Sequence, residues 1–118
     1  MTILVADDDA AVRYVVATAL RGAGHTVVEA ATGDEAAELG TAEVDLLITD
    51  LVMPPRGGLE LAHELQTRHP ALPVLYMSGY APRTEFNSDS TACQLSKPFT
   101  LADLLSHVNW LLPSQNRH

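Results

Sequence analysis

Short, unbroken apolar runs alternate along this chain with stretches whose apolar residues recur every three or four positions. A run that never alternates suits a strand covered on both faces, and a three-four spacing suits a helix burying one stripe. Ile3-Leu4-Val5-Ala6 is the first such run, and Val12, Val15, Val16, Ala19 and Leu20 form the first helical stripe. Asp9 can cap that helix, and Gly22 with Gly24 can stop it. His25 to Ala30 predicts a second strand, and Thr32-Gly33-Asp34-Glu35 opens a short alanine-rich helix that Gly40 ends. A third strand runs from Val44 to Thr49. Two prolines and two glycines in Pro54-Pro55-Arg56-Gly57-Gly58 predict a loop without regular structure. Leu59, Leu61, Ala62 and Leu65 carry a third helix toward His69-Pro70, and Val74-Leu75-Tyr76-Met77 is the fourth strand. From Ala81 to Ala92 the only large apolar residue is Phe86, which predicts a loop or one poor helical turn. Gln94-Leu95-Ser96 reads as a short last strand. The strongest stripe follows it: Leu101, Leu104, Leu105, Val108, Leu111 and Leu112, capped by Thr100 and closed by Pro113, with residues 114–118 frayed. Five strands alternating with four or five helices predict an α/β fold, a doubly wound five-stranded parallel sheet.

Composition narrows the class. A chain of 118 residues suits one domain with a real core, so residues 1–118 are taken as a single unit. The formal net charge of -8 excludes the basic stripe of a nucleic-acid binder and opposes attraction to an anionic membrane. No apolar stretch approaches the roughly 20 residues that cross a bilayer, and Met1-Thr2-Ile3-Leu4 lacks the basic start of a signal peptide. Cys93 has no cysteine partner, which agrees with a reducing compartment. The expected location is the cytoplasm, and Met1 with a frayed tail favours a stand-alone chain.

The chemistry lies at the strand ends. Asp7-Asp8-Asp9 follow the first apolar run and Asp50 follows the third. Open parallel sheets gather their ligands beyond the carboxyl ends of the strands, so these acids should leave one edge together. Crowded carboxylates repel one another and imply a hard cation with oxygen ligands, most simply Mg²⁺. Ser78 and Lys97 end the fourth and fifth runs, adding a hydroxyl donor and an ammonium. A metal, an ammonium and a hydroxyl around one carboxylate suit a phosphoryl group, whose transfer depends on positioning and on neutralising its oxygens. Asp50 would then be the nucleophile of an acyl phosphate.

Ile3-Leu4-Val5-Ala6-Asp7-Asp8-Asp9, Asp50-Leu51-Val52-Met53-Pro54 and Lys97-Pro98-Phe99-Thr100 together resemble the receiver domain of two-component response regulators. Met77-Ser78-Gly79-Tyr80 is most similar to receivers associated with hybrid histidine kinases. The resemblance implies a flavodoxin-like sheet of order 2-1-3-4-5 with strands one and three flanking the switch point. It implies that Asp50 accepts phosphate from the phosphohistidine of a histidine kinase or histidine phosphotransfer protein. Asp8, Asp50 and the Val52 carbonyl would bind Mg²⁺ directly, Asp7 largely through water. Lys97 would contact the phosphoryl group, Ser78 would move toward it, and Lys97-Pro98 would be a cis peptide. Val52 and Tyr80 would make self-dephosphorylation slow, since neither orients an attacking water. The chain departs from the family at Gln94, where an aromatic switch residue is usual, and at Arg56, where an apolar residue is common. It is also a few residues short between Ser78 and Lys97, so the fourth helix is expected to be short or degraded. With no DNA-binding domain, output would pass by protein contact or phosphate relay.

Two rival readings follow. An aspartate-nucleophile phosphatase would need a second aspartate two residues beyond Asp50, where Val52 stands, and a cap domain that is missing. A pseudo-receiver would serve as an interaction module without phosphate turnover; Gln94 and the poor fourth helix favour it, while the acids, Ser78 and Lys97 oppose it. Outside the cluster, Asp9 is expected to act as a helix cap. His25, His63, His69, His107 and His118 have no zinc-ligand spacing and are taken as surface. Cys93 is expected to be a small buried residue. Trp110 and Tyr14 lie off their helical stripes and should be exposed, Trp110 at an interface such as a homodimer or kinase contact.

Overall fold

The computed structural model describes residues 1–40, 43–51, 57–78, 92–96 and 99–112, with side chains at all of these except Ser78, Ala92, Cys93, Gln94 and Ser96. The elements follow in the order β1 (Thr2–Ala6), α1 (Ala10–Gly22), β2 (Thr26–Ala30), α2 (Gly33–Leu39), β3 (Leu46–Asp50), α3 (Gly58–Arg68), β4 (Val74–Ser78), β5 (Ala92–Ser96) and α4 (Leu101–Leu111). The five strands form one sheet in the order β2-β1-β3-β4-β5, as expected, and every neighbouring pair is parallel. This is the flavodoxin-like arrangement, with β1 and β3 side by side at its centre.

Successive side chains of each strand point to opposite faces, which divides the core in two. Ile3, Val5, Val27, Leu46, Ile48, Leu75 and Met77 pack against Val16, Ala17 and Leu20 of α1 and Leu104, Val108 and Leu111 of α4. On the other face Leu4, Ala6, Ala30, Leu47, Val74 and Tyr76 meet Ala36 and Ala37 of α2 and Leu61, Ala62 and Leu65 of α3. Burying a side chain the size of Leu or Ile contributes about 1.5–3 kcal/mol, so the double-sided burial of β1 and β3 anchors the fold. Unbroken apolar runs were needed there because neither face of those strands meets water.

Local signals fix the helix ends. Asp9 caps α1, its carboxylate accepting from the Ala11 and Val12 amides at 3.0 and 3.3 Å. Gly24 takes a φ of 97° after α1, a conformation that glycine adopts without a Cβ clash. Thr32 caps α2 through the Glu35 amide at 3.0 Å, and Glu35 returns a bond to the Ala31 amide at 2.8 Å. Thr100 caps α4 through the Asp103 amide at 3.0 Å.

The structure corrects several assignments. Val15, expected in the buried stripe of α1, is 47 % exposed, while Ala17 is buried. The helix is turned so that Arg13 faces inward, where it meets a carboxylate on β2 and the carbonyl of Asp7 just past β1. Leu59 and Leu101, each placed in a stripe, lie at the first turns of α3 and α4 and project into solvent. Gly58 is not loop but the first residue of α3. β3 runs one residue further than expected and includes Asp50, and β5 begins at Ala92. Tyr14 and Trp110 are exposed as expected, at 66 % and 59 %. The rest of the expected weak helical turn after Ser78, including Tyr80, lies outside the described residues. So do Arg56, Pro113 and the tail, and the side chains of Cys93 and Gln94.

Candidate metal centre

All five strands are parallel, so β1, β3, β4 and β5 end on the same edge of the sheet. Ala6 pairs with Thr49, which brings the next residue of each strand, Asp7 and Asp50, level across the β1–β3 seam. Asp8 follows one residue later. Each of Asp7, Asp8 and Asp50 offers a carboxylate oxygen, and these atoms lie within 4.8 Å of one another. The acids grade outward from a fully buried Asp7 through a half-buried Asp50 to an exposed Asp8.

Asp7 is fixed at three points. Its amide donates to the Ala30 carbonyl at 3.1 Å, extending the β1–β2 ladder by one residue. Its carboxylate accepts from the Asp9 amide at 2.9 Å, and its carbonyl accepts from Arg13 Nη1 at 2.7 Å. Asp50 is held through its backbone. Its carbonyl accepts from the buried Thr49 hydroxyl at 3.0 Å, and the next amide, Leu51, donates to the Met77 carbonyl at 3.0 Å. The start of α3 then presses on it: the Gly58 amide donates to the Leu51 carbonyl at 3.0 Å. A Cβ at Gly58 would run into the Asp50 carbonyl oxygen and come within 3.2 Å of the Leu51 Cα. Only glycine lets α3 begin this close to the nucleophile candidate.

Ionised carboxylates whose oxygens lie within 4.8 Å of one another repel, so this arrangement favours a bound cation. The donor set is oxygen only, which suits a hard ion and disfavours zinc or copper. Oxygens around an octahedral Mg²⁺ sit roughly 3–4 Å apart, so small side-chain rotations would close the acids on it. The residues present fit the ion.

Of the remaining expected site residues, Ser78 closes β4 and pairs with Ser96 at the end of β5. Its position at the edge is therefore described, and its hydroxyl is not. Lys97 directly follows Ser96 in the sequence, but Lys97 and Val52 lie outside the described residues. Sequence reasoning missed Gly58, Thr49 and Arg13. Gly58 carried a legible signal, since Glu60 follows it and accepts from the Gly57 amide at 3.2 Å, as acids do at helix starts. Thr49 and Arg13 carried none, because their partners are distant in sequence or are backbone atoms.

Comparison with known proteins gives one consistent result. The family model for the response regulator receiver domain matches residues 3–109. The chain is 37 % identical over 115 residues to the response regulator receiver protein CpdR of Brucella abortus, covering 93 % of this chain and 95 % of that one. It is also 37 % identical over 121 residues to the sensor kinase CckA of the same organism, covering 98 % of this chain but spanning only 13 % of the kinase. Among solved structures, the receiver domain of the hybrid histidine kinase CckA superposes with a TM-score of 0.82 at 33 % identity, covering 94 % of this chain and 99 % of that one.

Proposed function

This chain belongs to the response regulator receiver family, and on that footing we propose that it is a phosphoacceptor in which Asp50 takes a phosphoryl group from a phosphohistidine. The donor would be a histidine kinase or a histidine phosphotransfer protein. The convergence of Asp7, Asp8 and Asp50 at one sheet edge is the observation that carries this reading. In the transfer the phosphorus–nitrogen bond of the donor breaks as an Asp50 carboxylate oxygen bonds to phosphorus. The bonding pair stays on that ring nitrogen, and with a proton already on the other ring nitrogen the donor leaves as neutral histidine, Asp50 becoming an acyl phosphate. Asp8, Asp50 and the Val52 carbonyl would hold Mg²⁺, with Asp7 acting largely through water. Bound there, the ion supplies positive charge for the phosphoryl oxygens. Lys97 would pair with one of those oxygens, and Ser78 would donate a hydrogen bond to another. The half-buried setting of Asp50 leaves its carboxylate reachable by a donor. Residues 1–118 would act as one receiver unit in the cytoplasm, passing its signal by protein contact or phosphate relay.

Incubation with Mg²⁺ and acetyl phosphate, followed by intact mass, tests this directly. One added phosphoryl group is expected, and Asp50→Asn should remove it. A native chain that gains no mass under these conditions would instead act as an interaction module without phosphate turnover. Val52 and Tyr80 are poor at orienting an attacking water, so the phosphoaspartate should outlast seconds. Its decay, followed by mass after removal of the donor, contradicts that if complete within seconds.

A further inference from the structure

A second charged assembly lies on the α1 face, directly behind the acids. Arg13 Nη1 donates to the Asp7 carbonyl at 2.7 Å, a short charge-assisted bond, while its Nε lies 3.4 Å from Glu29 Oε1 on β2. The other oxygen of Glu29 accepts from Arg21 Nη1 at 3.0 Å, and Arg21 Nη2 donates to the Val27 carbonyl at 3.1 Å. Arg13 and Arg21 thus grip one glutamate from two turns of the same helix, and the inner arginine grips the backbone of Asp7. Arg13 is only 19 % exposed and Glu29 30 %, so their contact is less screened than an ordinary surface pair.

We propose that Arg13 is a positioning residue for the metal centre, held in place by Glu29, and that it fixes the bend on which Asp7 and Asp8 stand. This rests on the phosphoacceptor reading above and extends it to a residue that touches neither ion nor phosphate. The bend between β1 and α1 is three residues long, Asp7 to Asp9. Its direction sets where two of the three carboxylates point. The Asp7 amide is tied to β2, its side chain to the Asp9 amide, and its carbonyl to Arg13, so the peptide leading to Asp8 has a fixed orientation. Without the guanidinium that peptide is free to rotate, and Asp8, exposed and on the far side of it, loses its aim. Charge and geometry make opposite forecasts here. A guanidinium this near the acids repels a divalent cation, so if its charge dominated, removing it would tighten Mg²⁺ binding. Glu29 balances that charge locally, which leaves the geometric role.

Calorimetric Mg²⁺ titration of the full chain separates these outcomes. Arg13→Gln should raise the Mg²⁺ dissociation constant on the order of tenfold, the size usual for groups that orient ligands from outside the coordination shell. Arg13→Lys should recover part of that loss, since an ammonium can reach the carbonyl but cannot also hold Glu29. Glu29→Gln should show a smaller loss. Arg13→Lys keeps the test decisive if Arg13→Gln folds poorly, because it preserves the charge and any loss in it is geometric; unchanged affinity in Arg13→Lys and Glu29→Gln together overturns the inference. Arg68→Gln is the control. It removes a comparable bond, Arg68 Nη1 to the Ala37 carbonyl at 3.3 Å, and an ion pair to Glu64 far from the acids, and should leave Mg²⁺ affinity unchanged. Unchanged or tighter binding in Arg13→Gln overturns the inference, as does an equal loss in Arg68→Gln, which would tie affinity to stability alone. A native chain that takes up no Mg²⁺ overturns the phosphoacceptor reading itself and the inference with it.

Discussion

Gly58 shows how much a single absent side chain decides. It lets the first turn of α3 rest against the Asp50 carbonyl, and nothing larger fits without moving one of them. Gly58→Ala gains helix propensity but forces two backbones apart, and overpacking of this kind costs about 1–3 kcal/mol. The expected result is a lower urea midpoint together with slower labelling of Asp50 by acetyl phosphate. An alanine variant as stable and as reactive as the parent would show that α3 can retreat at no cost. Asp9 sits beside the acids but does different work: its carboxylate is committed to the Ala11 and Val12 amides, and it stands outside the metal-competent trio. Three consecutive aspartates thus divide into a buried anchor, an exposed arm and a helix cap.

At the scale of elements, α1, α2 and α4 each start on a residue whose side chain accepts from the unpaired amides of the first turn. Thr100 is the clearest at α4, with its hydroxyl 3.0 Å from the Asp103 amide and an acid in the first turn to complement the helix dipole. Thr100→Ala should lower unfolding free energy by about 1 kcal/mol in urea titration, the usual cost of a lost cap. The labelling rate of Asp50 should stay unchanged if the cap serves α4 alone. The helical stripes were legible as periods but not as faces. Spacing cannot tell Val15 from Ala17 as the buried neighbour of Val16, because a rotation of one residue exchanges them. Inward-facing Arg13 settled that rotation, and its partners lie on β2 and at the end of β1, both beyond the reach of any local pattern.

Across the whole molecule, burial also acts on a titratable group at the edge of the sheet opposite the acids. His25 precedes β2 at the amino-terminal edge, where burial, and then the nearby amino-terminal ammonium, hold its pKa below the ordinary 6.5. The fold therefore favours the neutral imidazole. Its contribution is complete above the unfolded pKa and is lost as pH falls through the lower folded value, since the unfolded chain binds the proton first. Urea unfolding at about pH 7.5 and about pH 5.5 should show a smaller decline for His25→Gln than for the native chain over that acidic step. Equal declines would mean that other groups govern acid sensitivity.

Continuous apolar runs already pointed to a parallel sheet covered on both faces, and parallel strands share a carboxyl edge, so Asp7, Asp8 and Asp50 were bound to leave the sheet on one side; the pairing of β1 with β3 then brought them together. The shared side follows from one-dimensional order, because direction and alternation are properties of the chain itself. The sequence also set the helix caps, which act over three residues. Only the tertiary structure decided which face each helix turns inward, that α3 starts against Asp50, and that Arg13 reaches from α1 to the Asp7 carbonyl. Those features join residues through space, with a guanidinium answering a backbone atom and a missing Cβ answering a carbonyl; Glu60 marked where α3 starts, but which atoms meet there and at Arg13 is not written in the order of residues.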